Sequence, residues 1–301
     1  MQDHNLTVAG VSETRPLLHD GSVRSSARSM SGRAAALLLK SLWQYRSLVV
    51  ELARREFSGK YRGSFGGLAW SFIQPLFLLA VYTVAFGVIL KARWSMSNDS
   101  VSTANYALML FAGLIVFNAF AYVLEKSVTL VTRSPNFVKK VVFPLELLPV
   151  VCVLTALAHA LIGIIIWFLG YFVLFGLPKP GVVFFPLVLL SFLPLLLGVG
   201  WFLSALGVVA RDIDQVTGMV NHTLLFLTPI FYSNEAAPPP LQKLLMFNPL
   251  TFVVEQFRLV IFYGQRPDFL MLAAYFILTS LFAFAGLALF RRLRPGFADL
   301  V

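Results

Sequence analysis

Long apolar segments dominate the chain after its first sixty or so residues, and short polar or proline-containing stretches separate them. About 20 consecutive apolar residues cross a bilayer as a helix, and a helix satisfies its own backbone hydrogen bonds there. We therefore predict an all-α integral membrane protein with six transmembrane helices. The predicted spans are 68–90, 106–131, 145–175, 182–209, 216–232 and 269–290.

A segment before the first span is apolar on one side only. Leu42, Tyr45, Leu48 and Leu52 recur at spacings of three and four, and polar residues fill much of the opposite side. This pattern, with several basic residues, is typical of a helix that lies on a membrane surface. We predict an N-terminal amphipathic interface helix here, and a soluble packing helix is the alternative.

The stretch between spans five and six is broken. Three consecutive prolines begin it at Pro238, and Asn248-Pro249 divides it into two apolar halves that are each too short to span. We predict a re-entrant helical hairpin at about 237–263, with an amphipathic surface loop as the alternative. Glu255 and Arg258 share one helical face and could form an ion pair, or both could be solvated at the outer surface.

These patterns divide the chain into four parts. Residues 1–32 are predicted to be a disordered cytoplasmic tail, because they combine Pro, Gly, Ser and scattered charge without periodicity. Residues 33–67 hold the interface helix, 68–294 form the six-span transmembrane domain, and 295–301 are a cytoplasmic C-terminus.

Composition agrees with a membrane protein and charge fixes its predicted orientation. The chain is 58% hydrophobic and 13% charged, against about 25% charged residues in soluble domains. Its net charge of +10 does not indicate nucleic acid, because the basic residues flank apolar segments. Seventeen Lys and Arg lie on one side of the predicted spans and six on the other, which places both termini in the cytoplasm.

The sequence carries no recognisable catalytic or metal-binding motif. It has neither a phosphate-binding G-x-x-x-x-G-K-[ST] loop nor an H-E-x-x-H motif. Its single cysteine is Cys152. We therefore predict that the chain is not an enzyme, has no cofactor or metal of its own and leaves any ATP chemistry to another subunit. A membrane-embedded glycosyl or acyl transferase is the alternative of another class, and it would require Glu125, Glu146 and His159 to converge.

Several short motifs, in order along residues 40–294, carry a family resemblance. They are Arg55-Glu56-Phe57 with Lys60-Tyr61-Arg62-Gly63-Ser64, Gly67-Leu68-Ala69-Trp70, Gln74-Pro75, the loop 134–144, Ala210-Arg211-Asp212-Ile213, 227–232 and Phe247-Asn248-Pro249-Leu250. Together they resemble the type-2 ABC exporter permeases that serve O-antigen, capsule and teichoic-acid chains. The longer polar N-terminal tail departs from the simplest pattern of that family.

The resemblance implies a transport subunit in the bacterial inner membrane. It implies a homodimer of permeases bound to two copies of an ABC ATPase, which would hold ATP and Mg. It also implies a channel at the dimer interface for a polysaccharide linked to polyprenyl pyrophosphate. An ABC exporter of drugs or other lipids is the alternative within the same superfamily.

The resemblance and the residue types together nominate functional residues. The expected ATPase-coupling interface is Arg54, Arg55, Glu56, Tyr61 and Arg62, and the expected cytoplasmic gate or second contact loop is Arg133, Ser134, Pro135, Asn136, Lys139 and Lys140. Lipid pyrophosphate is assigned to Arg54, Arg55, Lys60 and Arg62. Candidate channel-lining aromatics are Trp70, Phe72, Phe117, Tyr122 and Tyr232, and the expected periplasmic gate is Asn248, Pro249, Glu255 and Arg258.

Overall fold

A computed structural model of the protein describes residues 40–63, 65–89, 103–139, 143–210 and 212–300. The predicted tail at 1–32 lies outside these residues, as do Lys140, Arg211 and the side chain of Lys139. Within the described residues the chain is helical and contains no strand. The all-α prediction is confirmed for this part of the chain.

The described helices follow one another with short connections. They are α1 (Arg46–Gly59), α2 (Trp70–Tyr82, continued by a π-helix at Thr83–Ile89), α3 (Thr103–Val128), α4 (Pro135–Lys139), α5 (Leu148–Phe175), α6 (Phe185–Val209), α7 (Ile213–Leu227), α8 (Pro239–Phe247), α9 (Pro249–Ile261), α10 (Phe269–Leu293) and α11 (Phe297–Leu300). Short 3-10 turns precede α2, α5, α6 and α8 and follow α10.

Four helical segments are long and apolar enough to cross a membrane. They are Thr103–Val128, Leu145–Phe175, Pro180–Val209 and Phe269–Gly296. The helices α8 and α9 are long and apolar enough only when they are taken together, and the pair is bent by 95°. The described residues therefore give four to five candidate spans of a multi-pass membrane protein.

The first and fifth predicted spans are less regular than the apolar pattern indicated. The first is a short apolar helix, Trp70–Ala85, within α2 and its π-helical continuation. The fifth, predicted at 216–232, ends as a helix at Leu227 because Thr228 is extended (ψ 136) immediately before Pro229. The 15 residues of α7 rise about 22 Å, which is less than the roughly 30 Å hydrocarbon thickness of a bilayer.

Helix α3 is the centre of the fold. Most of its residues between Tyr106 and Val128 are buried, and α5, α6, α7 and α9 pack around it. Two polar side chains attach its beginning to its neighbours. The Trp167 indole of α5 donates to the Leu108 carbonyl at 2.9 Å, and the Tyr106 hydroxyl donates to the Phe231 carbonyl at 3.0 Å.

Small residues bring α6 into close contact with its neighbours. On one side Gly198 of α6 faces Gly286 of α10, where an added Cβ on Gly286 would lie 2.7 Å from the Gly198 carbonyl oxygen. On the other side Gly207 touches the backbone at Val128, and Ser204 donates to the Ser127 carbonyl at 2.9 Å. Close approach through small residues is the usual way in which membrane helices gain packing energy.

The glycine contact between α6 and α10 predicts a position-specific loss of stability. Gly286→Leu should lower the free energy of unfolding by about 1–3 kcal/mol, because its side chain must push the two helix backbones apart. Gly218→Leu is the matched control, since no atom lies within 4 Å of a Cβ built there. The measurement is the melting temperature of each detergent-purified variant, and equal losses in the two would contradict the prediction.

Candidate functional site

The inner face of α1 is held against the spanning helices by polar and aromatic contacts. The Tyr122 hydroxyl donates to Glu56 at 2.9 Å, and the Phe57 ring lies 4.7 Å from the His159 ring. Tyr61, which is buried, has its hydroxyl 3.4 Å from His159 Nδ1. Glu56 and Tyr61, expected at an ATPase interface, therefore contact α3 and α5 of their own chain.

The opposite face of α1 carries the exposed basic residues. Arg54, Arg55 and Arg62 are exposed, and Lys60 lies in the turn that ends the helix. Partial burial, and secondarily the nearby Lys126 ammonium, lower the pKa of the Lys60 amine, whereas Glu125 raises it. The face that could meet a partner is thus arginine-rich, and guanidinium groups bind phosphate and carboxylate in a bidentate way.

A cavity of about 370 Å³ lies beside the inner face of α1, between α2, α3, α5 and α7. Its wall mixes apolar side chains with the polar groups of Gln74, Asn118, Glu125, His159 and Asn221. The Asn221 amide of α7 donates a hydrogen bond to the Glu125 carboxylate of α3. Glu125 is therefore partnered across the gap between these two helices.

The five aromatic candidates occupy different environments. Trp70 and Phe72 are 46% and 42% exposed, whereas Phe117 is 4% exposed and packs in the core. Tyr122 borders the cavity, and the Tyr232 hydroxyl donates to the Phe226 carbonyl at 2.9 Å. Phe117 and Tyr122 line the same cavity, whereas Trp70, Phe72 and Tyr232 are not part of its lining.

The loop after α3 carries the second group of predicted contact residues. Arg133, Pro135 and Asn136 are exposed, Ser134 is half-buried, and 135–139 form the short helix α4. Arg133 also borders a smaller hollow of about 280 Å³ with Lys126 and Asp214. The prediction for Lys139 and Lys140 concerns groups outside the described atoms.

Arg258 is buried, so the expectation that it could be solvated at the outer surface is wrong. Its guanidinium donates to the carbonyls of Met109 at 2.8 Å and Ile230 at 2.8 Å, and also to that of Pro229. Glu255, one turn earlier in α9, is half-buried. Arg258 therefore connects α9 to α3 and to the turn that follows α7.

Asn248 occupies the bend between α8 and α9. Its carbonyl oxygen accepts from Leu250 N at 2.9 Å and caps α9, which begins at Pro249. Its amide donates to the Leu227 carbonyl at 3.0 Å and to the Thr228 hydroxyl at 2.9 Å. One side chain thus fixes the bend and attaches it to the end of α7.

Comparison with known proteins gives the family. The sequence model of the ABC-2 type transporter family matches residues 47–262, which is more than half of the chain. The chain belongs to the ABC-2 type transporter family. The matched region begins in α1 and ends just after α9, so it includes most of the helices described above.

Several curated relatives of this ABC-2 family member match over most of their length. The O-antigen export system permease protein RfbA of Myxococcus xanthus is 25% identical over 88% of this chain and 99% of its own. A Klebsiella pneumoniae protein of the same name is 22% identical over 84% and 95%. The polysialic acid transport protein KpsM of Escherichia coli is 24% identical over 77% and 87%.

An embedded transferase would need Glu125, Glu146 and His159 to converge, but in this ABC-2 family chain only Glu125 and His159 share a cavity and Glu146 is not part of its lining. Glu146 is buried and paired with Arg291 at 3.3 Å and Arg294 at 3.1 Å, and its carbonyl accepts from the Trp201 indole at 2.9 Å. Glu125 is bonded to Asn221, and His159 packs against α1. Among the described residues no group of three or more His, Cys, Asp or Glu is placed to hold a metal ion.

The Glu146 cluster is a feature that sequence reasoning missed. The two arginines are almost 150 positions away, and nothing in their spacing identifies Glu146 as their partner. The only available signal was a carboxylate at the beginning of an apolar run, where a charge usually has a partner.

The carbonyl contacts of Arg258 lead to a prediction for this transporter. Arg258→Lys should destabilise the protein by about 3 kcal/mol, because a single ammonium group cannot replace the planar fork and leaves buried carbonyls unpaired. Arg266→Lys changes an exposed arginine just beyond the same helix and should have little effect. Thermal unfolding of the two purified variants provides the measurement, and similar melting temperatures would refute the assignment.

Proposed function

We propose that the protein is the transmembrane permease subunit of an ABC transporter that exports a lipid-linked polysaccharide, such as O-antigen, across the bacterial inner membrane. The observation that carries the proposal is the near full-length match to relatives named for O-antigen export and polysialic acid transport. ATP hydrolysis takes place in a separate subunit with bound Mg, and two permeases assemble with two ATPases.

In the proposed topology the chain crosses the membrane six times. The crossings are α2 with its π-helical continuation, α3, α5, α6, α7 and α10. The bent pair α8 and α9 enters and leaves from the outer side, where Asn248, Pro249, Glu255 and Arg258 belong to the gate. Both termini are then cytoplasmic, in agreement with the distribution of Lys and Arg.

The ATPase contacts the exposed face of α1 and the loop after α3. Arg54 and Arg55 of α1, and Arg62 just beyond it, are exposed and face a partner, since Glu56 and Phe57 hold the other side of the helix. In the loop, the contact residues are Arg133, Ser134, Pro135, Asn136, Lys139 and Lys140. The same basic face, with Lys60, receives the pyrophosphate of the lipid carrier during loading.

Deletion of the gene tests the exported substrate. Loss of the permease should remove the surface polysaccharide and cause lipid-linked polymer to accumulate inside the cell, because synthesis continues without export. The readouts are immunodetection of surface polymer and extraction of the polyprenyl-linked pool, with plasmid-encoded wild type as the control. Unchanged surface polysaccharide would exclude glycan export and favour export of a drug or another lipid.

Charge reversal on α1 tests the ATPase contact. The double variant Arg54→Glu with Arg55→Glu should strongly reduce co-purification of the ATPase, because it inverts the charge of the exposed face. Arg292→Glu, at an exposed position near the end of α10, is the matched control and should retain the partner. If both variants retain the ATPase to the wild-type level, the contact lies elsewhere on the protein.

A further inference from the structure

A polar stripe interrupts the otherwise buried surface of α3. Asn118, Tyr122 and Glu125 follow one another at spacings of four and three, so they lie on one side of the helix axis, and Thr129 follows just beyond the end of the helix. Asn118 and Glu125 are exposed, although most of the apolar part of this helix is buried. The two residues are separated by about 10 Å along the axis.

The stripe continues along two of the hollows among the described residues. Asn118, Tyr122 and Glu125 line the 370 Å³ cavity, and Glu125 and Thr129 line the 280 Å³ hollow. Glu125 borders both, so the two hollows share a wall at this residue. Gln74 of α2 and Asn221 of α7 flank the cavity, and we call these six residues the α3 track: Gln74, Asn118, Tyr122, Glu125, Thr129 and Asn221.

Two buried polar atoms at the cavity have no hydrogen-bond partner among the described residues. They are Nε2 of His159 and Oδ1 of Asn221, and both residues line the cavity. Buried polar groups are normally hydrogen-bonded because desolvation without a partner is unfavourable. Their position favours a ligand with its own donors and acceptors over a purely apolar one.

The charges along the track favour an uncharged ligand. The larger cavity is lined by Lys60 and Glu125, and the smaller hollow by Glu125, Lys126, Arg133 and Asp214, so both signs are present and neither dominates. Amide side chains offer both donors and acceptors, as do the hydroxyl groups of sugars. The aromatic candidate Phe117 lines the same cavity, although its side chain is only 4% exposed.

We propose that the sugar chain of the exported polymer binds along the α3 track, through hydrogen bonds to the amides of Gln74, Asn118 and Asn221. This inference rests on the proposed function and assigns a binding site within it. The residues that contact the glycan are then amides on three different helices. Phe117 and Tyr122 line the same cavity and add aromatic contacts to these hydrogen bonds, and Tyr122 also attaches α1 through Glu56.

Cysteine protection tests the track directly. Cys152 is fully buried and is first replaced by Ala. Single cysteines are then placed by Asn118→Cys, Gln74→Cys or Arg292→Cys, the last being an exposed control outside the track. Each variant is labelled with a small charged methanethiosulfonate reagent, in permeabilised membranes from cells that make the polymer and from cells blocked at its first glycosyl transfer.

Labelling at positions 118 and 74 should be several-fold slower when polymer is present, while labelling at 292 should be unchanged. Equal rates in the two membranes at 118 and 74, or no labelling there at all, would overturn the track. Neither result would affect the proposed function, which fails only if surface polysaccharide persists after gene deletion.

A second pair of variants separates chemistry from packing. Asn118→Leu should reduce surface polymer several-fold while the protein is still inserted and still binds its ATPase, whereas Asn118→Gln should restore export because it retains an amide. Normal export by the leucine variant would also overturn the assignment.

Discussion

Backbone groups that are freed where a helix breaks need partners inside an apolar protein, and this constraint shapes the region around α9. The turn after α7 and the bend before α9 are two such breaks. Arg258 donates hydrogen bonds to carbonyls of the turn after α7 and to one carbonyl of α3. Asn248 lies in the bend before α9 and donates to a carbonyl at the end of α7. Two side chains therefore join α3, α7 and α9 into one hydrogen-bonded unit.

The helices around that unit are held mainly by close packing of their backbones. Gly198 against Gly286 and Gly207 against Val128 allow the backbones of α10 and α3 to approach α6 closely. The polar stripe of α3 is the exception, because its residues face hollows and not neighbouring backbones. A tightly packed scaffold on one side and an open polar surface on the other suit a subunit that guides a hydrophilic chain.

The sequence predicted what depends on hydrophobic length and missed what depends on long-range pairing. The apolar run at 145–175 predicts the described segment Leu145–Phe175 because a long uniform run has no competing signal. The apolar run at 216–232 concealed the extended Thr228, whose geometry follows from Pro229. The resemblance assigned Glu56 to the ATPase-coupling interface, and helix periodicity does not show that Tyr122 would bond it.

The Glu146 cluster has a consequence for biogenesis. Its carboxylate precedes Arg291 and Arg294 by almost half of the polypeptide, so it leaves the ribosome and enters the fold long before either arginine is made. During that interval the carboxylate depends on water or on the insertion machinery for its stabilisation. Completion of the last helix thus supplies the partners of this carboxylate, and a chain truncated before Arg291 would carry an unpaired charge that quality-control proteases could recognise.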